Sequence, residues 1–202
     1  MPTFLEELRE TGKFFMKADE VHDTLRRVTR RLEEAGIDYA LIGGMALFAH
    51  GYRRYTTDVD ILTTPAGLDA IHRELVGRGY VPRFPGARKA LRDTQTGVTV
   101  EFITTGEYPG DGKPKAVGFP DPANAAVTID GVQVITLEKL IELKLASGLT
   151  NPLRARDLGD VHDLIDRLNL PLELAEKLDP SVRNAYVEYW HLHQNPIGPD
   201  RE

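Results

Sequence analysis

Residues 56–64 read TTDVDILTT, two aspartates one residue apart inside a short run of β-branched and apolar side chains. Val, Ile and Thr favour a pleated strand, where residues i and i+2 point to one side about 6.6 Å apart. Val59 and Ile61 therefore take one face, and Asp58 and Asp60 the other. The first face belongs to a core. The second holds two carboxylates whose repulsion disfavours the fold unless a cation lies between them, and hard oxygen donors at that spacing suit Mg²⁺. Residues 98–105, VTVEFITT, repeat the pattern: Val98, Val100 and Phe102 face one way, and Glu101 emerges on the other with Thr99 and Ile103. A third carboxylate on a neighbouring strand completes a candidate two-metal site, an arrangement suited to phosphoryl and nucleotidyl transfer.

A glycine pair stands just upstream. DYALIGG, residues 38–44, predicts a short buried strand ending at Gly43 and Gly44, and MALFAHG a helix stopped by Gly51. At such a strand-to-helix turn, glycines let a phosphate approach backbone N–H groups without meeting a Cβ. Upstream again, Val21, Leu25, Val28 and Leu32 recur at three- and four-residue spacing and predict an amphipathic helix ending before Gly36. Residues 65–80 predict a helix with Pro65 in its first turn.

Eight of the 17 residues from Gly106 to Pro122 are Gly or Pro, which predicts a long surface loop with Asp111, Lys113 and Lys115 near its tip. Asp130-Gly131, between alternating apolar residues, predicts a tight hairpin that extends the sheet. From Leu137 onward the pattern is helical. The expected class is α/β (α+β), a mixed sheet flanked by helices. The expected organisation is a core over 1–136, with N-terminal helices and the loop at 106–122, and a helical subdomain over 137–202 that closes the cleft.

With 202 residues and 41% hydrophobic content the chain can bury a sizeable core, and its net charge of −6 argues against a general polyanion binder while leaving room for a local basic cleft. The absence of cysteine excludes disulfides and thiolate chemistry and fits a cytoplasmic location. The first 15 residues alternate charged and apolar types, so neither a leader nor a membrane span is expected there.

In combination, LIGGMALFAHGYRRYTTDVDIL (residues 41–62) and the later VTVEFI resemble the nucleotidyltransferase superfamily that includes DNA polymerase β. Its signature is Gly-Gly or Gly-Ser, about a dozen residues, Asp-x-Asp, and later a third acid on a strand. The resemblance implies that Asp58 and Asp60 bind two metal ions, with Mn²⁺ as the alternative to Mg²⁺. It implies that Glu101 assists the ion that activates an acceptor hydroxyl, and that Gly43 and Gly44 hold the phosphates of a nucleoside triphosphate. Gly44 stands where many members carry Ser.

The segment LIELKLASGLTNPLRARDLGDVHDLI (residues 140–165) is similar to nucleotidyltransferase-like toxins of toxin–antitoxin and abortive-infection systems. That likeness implies that Lys144 reaches the triphosphate and that Asp157 or Asp160 orients the lysine or the nucleotide. An ordinary helix ion pair of Lys144 with Glu142 or Asp157 is the competing reading. Arg54 is a candidate phosphate clamp, with a loop ion pair as its alternative. Arg26, Arg27, Arg30 and Arg31 are a candidate track for an RNA backbone, with a solvated helix face as the favoured reading, and the aromatics of residues 184–194 are read as core packing or a partner contact.

The expected activity is metal-dependent transfer of a nucleoside monophosphate to a hydroxyl of RNA or protein, as in the toxin-like members, for which a cognate antitoxin is a candidate partner. Transfer to a small, antibiotic-type molecule and a non-catalytic nucleotide-binding module of the same fold are the alternatives.

Overall fold

The computed structural model describes residues 16–194, which separate into two compact units. One comprises the chain as far as Gly106 together with Phe119–Thr136, the other Glu107–Gly118 together with the chain from Leu137 onward. The reading of the first 15 residues lies outside the described part. No described helix is long and apolar enough to cross a membrane.

In the first unit the elements run α1 (Met16–Glu34), β1 (Tyr39–Ile42), α2 (Gly43–Ala49), β2 (Asp58–Thr63), α3 (Pro65–Leu75), β3 (Tyr80–Pro82), β4 (Ala90–Asp93) and β5 (Thr99–Thr104). They continue with a single turn α4 (Pro122–Ala125), then β6 (Ala126–Ile129) and β7 (Val132–Ile135). The seven strands form one mixed sheet in the order β3-β4-β5-β2-β1-β7-β6. β2 runs parallel to β5 and β1 to β7, while the other neighbours are antiparallel.

The expected periodicities fall where the packing needs them. Val21, Leu25, Val28 and Leu32 are all buried, and α1 packs on β2 while α3 packs on β5. Full burial of each such side chain contributes about 1.5–3 kcal/mol. The α3 start is capped by Thr64, whose Oγ1 accepts from Gly67 N–H at 2.9 Å. The β6–β7 turn uses Asp130 at φ +51° and Gly131 at φ +83°, the left-handed pair that a two-residue hairpin demands. Two strands, β3 and β4, were not expected. They are three and four residues long, and β3 ends on Pro82, which lacks a ladder donor.

The second unit is helical: α5 (Leu137–Thr150), α6 (Ala155–Leu168) and α7 (Pro180–Gln194), with 3₁₀ turns at Pro152–Arg154 and Leu172–Lys177. A Cβ on Gly148 would lie 2.4 Å from Leu158 Cγ, so glycine sets how closely α6 approaches α5. Two of the α7 aromatics are held within this unit: Tyr186 is fully buried with its hydroxyl donating to Pro171 O, and Trp190 Nε1 donates to Leu170 O. The glycine- and proline-rich segment has no regular structure but is anchored on α5. Lys115 Nζ donates to Pro109 O and to Thr150 Oγ1, and Asn151 Nδ2 donates to Gly110 O.

Candidate active site

The parallel pairing of β2 with β5 sets the geometry of the carboxylates. Asp58 stands opposite Thr99 and Asp60 opposite Glu101. Directly opposed residues share a face, so Asp58, Asp60 and Glu101 line one side of the sheet, with strands about 4.8 Å apart. All three are half-buried, while Val59, Ile61, Val100 and Phe102 on the other face are buried. The strands thus divide as their alternation requires.

Both glycines make room for this face. Gly43 has φ +63°, and a Cβ built on it would stand 2.0 Å from Asp60 Oδ2, so the carboxylate fills the space a side chain would need. A Cβ on Gly44 would lie 2.9 Å from Thr56 Cβ. Thr56 in turn donates from Oγ1 to Asp58 Oδ1 at 2.6 Å. Glu101 accepts from Arg83 Nη1 at 3.0 Å, an ion pair between half-exposed side chains. Arg54 is half-buried on the loop between α2 and β2.

Thr56 and Arg83 did not emerge from the sequence. Thr56 has a local signal, a hydroxyl two residues before an aspartate. Arg83 has none, since its partner is identified only by the pairing of β3, β4 and β5.

The donor set suits a hard divalent cation, because Asp58 and Asp60 offer carboxylate oxygens on one face with Glu101 on the next strand. Among the described residues no three His, Cys, Asp or Glu side chains converge closely enough to hold an ion as they stand. At Glu101, one carboxylate oxygen is turned to Arg83.

In the second unit the structure brings Lys144, Asp157 and Asp160 together. Lys144 is 6% exposed and donates from Nζ to Asp157 Oδ1 at 3.0 Å and to Asp160 Oδ2 at 2.7 Å. The other oxygen of Asp157 accepts from Ser147 Oγ at 2.7 Å and from Arg154 Nε at 2.8 Å. Burial pushes the Asp157 carboxyl up, but the Lys144 charge, the Ser147 hydroxyl and Arg154 outweigh it and hold the group below its ordinary value. Glu142 is engaged elsewhere, by Lys139 Nζ and the Asp179 N–H.

No protein-family model and no curated protein matches the chain. Solved structures do. A crystal structure of an antigenic nucleotidyltransferase-like protein from Paracoccidioides brasiliensis aligns over 88% of this chain and 89% of its own, at 16% identity and a TM-score of 0.53. The chain has a nucleotidyltransferase-type fold. A Helicobacter pylori protein provisionally named a nucleotidyltransferase aligns over 86% of this chain and 92% of its own, at 19% identity and a TM-score of 0.48. In this nucleotidyltransferase-type sheet, β2 and β5 are the strands that carry the candidate acids.

Proposed function

We propose that the chain is a metal-dependent nucleotidyltransferase that moves a nucleoside monophosphate from a nucleoside triphosphate to a hydroxyl acceptor. The observation that carries this reading is the register of β2 against β5, with Asp58, Asp60 and Glu101 side by side on one face and Gly43 leaving space for Asp60. Carboxylates about 6.6 Å apart repel by about 2.5 kcal/mol at an effective dielectric near 20. A surface kept only for solubility has no need of that arrangement.

Asp58 and Asp60 are the residues that would hold Mg²⁺, or Mn²⁺ in its place, with Glu101 joining once Arg83 releases it. When bound, the metal lowers the pKa of the acceptor hydroxyl and offsets charge developing at the α-phosphate. Thr56 fixes the orientation of Asp58 through their hydrogen bond. Gly43 and Gly44 give Asp60 and Thr56 the room they occupy, and the backbone N–H groups of this turn, with Arg54, are assigned to the phosphates. In the reaction the acceptor oxygen bonds to the α-phosphorus as the bond to the α,β-bridging oxygen breaks. The hydroxyl proton is released and pyrophosphate departs. A nucleotide role for Lys144, Asp157 and Asp160 requires phosphate to displace the two carboxylates that now hold the ammonium.

Purified protein with Mg²⁺ and α-labelled nucleotides is expected to label an acceptor, and Asp58→Ala with Asp60→Ala to abolish it. Labelling that survives the double change refutes the site. Transfer to a small cationic molecule is a second reading, favoured by the net charge of −6. Assays against total RNA, lysate protein and aminoglycosides separate the acceptor classes. Nucleotide affinity indifferent to Mg²⁺ would instead mark a non-catalytic module.

A further inference from the structure

The basic residues of this acidic chain are unevenly placed. Residues 78–92 contain Arg78, Arg83, Arg88, Lys89 and Arg92 and no acid, so in a chain of net charge −6 this segment carries +5 and the remainder −11. It forms the β3–β4 hairpin at one end of the sheet, and all five cations are exposed. Phe84, in the connection between the two strands, is 60% exposed, where a large aromatic gains nothing from the core.

The hairpin is also oriented toward the acids. Arg92 stands opposite Thr99, which stands opposite Asp58; Ala90 stands opposite Glu101, which stands opposite Asp60. Opposed residues share a face, so Arg92 lies on the carboxylate face, two strands or about 10 Å from Asp58. Arg83 reaches the same face, since its guanidinium meets Glu101. Arg78 pairs with Glu74, Arg83 with Glu101 and Arg88 with Asp69. These are exposed pairs, which hold weakly and yield to a stronger anion.

We propose that the β3–β4 hairpin docks the phosphate backbone of a single-stranded RNA and leads its end along this face toward Asp58 and Asp60. This rests on the transfer reading above and names its acceptor class. Four of the five cations are arginines, whose forked donors match phosphate oxygens two at a time. An exposed phenylalanine among them is the stacking platform that single-strand binders add to a basic track. RNA presents unpaired ends whose bases stack on such a ring, whereas a duplex hides them. An acidic protein segment would use the cations but leave Phe84 without a flat partner.

The test is fluorescence anisotropy of a labelled single-stranded RNA of about 20 nucleotides with the full chain, without nucleotide or divalent ion, over a range of KCl. Arg88→Gln with Lys89→Gln and Arg92→Gln is expected to lower affinity at least tenfold. It should also make the log–log salt slope shallower by about two, from three lost phosphate contacts. Phe84→Ala is expected to weaken binding several-fold with the slope unchanged. All four residues are exposed, so circular dichroism and melting should match the unaltered protein.

The proposal is overturned if the triple variant keeps affinity and slope, or if an oligoglutamate peptide of equal charge displaces the RNA as well as unlabelled RNA does. Nucleotide labelling is measured separately. Labelling without hairpin-dependent RNA binding refutes the docking surface alone, and RNA binding without labelling refutes the transfer reading alone.

Discussion

The carboxylate of Asp60 occupies the position that a side chain on Gly43 would take, with Oδ2 2.0 Å from an ideal Cβ. Gly43 also sits at φ +63°, where an L-residue other than glycine is disfavoured by about 1–2 kcal/mol. Gly43→Ala is therefore expected to strain the β1–α2 turn and push Asp60 off the shared face. The melting temperature should fall by about 2–4 °C per kcal/mol lost in a chain of this size. Mn²⁺ binding, followed by electron paramagnetic resonance, should weaken with it. Unchanged Mn²⁺ affinity in a folded Gly43→Ala protein would show that Asp60 does not need that space.

Thr56 acts on the neighbouring acid. Its 2.6 Å hydrogen bond to Asp58 Oδ1 fixes one carboxylate oxygen, and Gly44 leaves room for the threonine itself. A bond of this kind is worth about 1 kcal/mol, or roughly fivefold in an equilibrium. Thr56→Val keeps the shape and removes the donor, so nucleotide labelling should fall by about fivefold, and Thr56→Ser should restore it. Equal rates for valine and serine would mean that the hydroxyl does not orient Asp58.

These relationships mark the limit of what the chain discloses by itself. The strand acids were legible because Asp58, Asp60 and Glu101 alternate with Val59, Ile61, Val100 and Phe102, and an alternation of period two assigns faces without any coordinates. The α1 stripe and the Asp130-Gly131 turn were legible for similar local reasons. The strands β3 and β4 were not, because three or four residues hold too little periodicity and their pairing is a tertiary choice. With them went Arg83 and the basic hairpin. Lys144 and Asp157 were anticipated as neighbours, but Ser147 and Arg154 on the second Asp157 oxygen were not, since that convergence depends on the angle at which α6 meets α5.

The Lys144 cluster makes a prediction about stability. Asp157 and Asp160 are 5% and 3% exposed, so Lys144→Met takes the ammonium away from two buried carboxylates, of which Asp157 keeps Ser147 and Arg154. Breaking a buried pair from one side is expected to lower the unfolding free energy by about 3–5 kcal/mol in urea titrations. Adding Asp157→Asn and Asp160→Asn to Lys144→Met removes the stranded charges and should recover much of the loss. A loss under about 1 kcal/mol for Lys144→Met would show that the cluster is solvated in solution.

The same cluster sets a pH dependence. The Asp157 carboxyl is held below its ordinary value of 3.8, so the folded state binds its proton less readily than the unfolded state. Its contribution is complete above that ordinary value and is lost as pH falls through the lower folded one. Asp157→Asn should therefore show a flatter decline of stability with falling pH below about 4 than the unaltered chain. Parallel declines for the two proteins would contradict the assigned shift.

Arg83 and Glu101 provide the last prediction. Their 3.0 Å pair joins side chains that are 54% and 40% exposed, so it is worth no more than about 1 kcal/mol. It nonetheless engages one oxygen of the third candidate acid, and any divalent ion recruiting Glu101 has to compete with the guanidinium. Arg83→Ala removes the competitor and should tighten Mn²⁺ binding by up to about fivefold, the equilibrium equivalent of that energy. Arg83→Lys, still cationic but without the planar fork, should fall between the two. In an Asp58→Ala, Asp60→Ala background the gain should vanish, because Glu101 alone does not hold the ion. If Arg83→Ala instead weakens Mn²⁺ binding, the arginine helps to build the site and Glu101 is held in place by it.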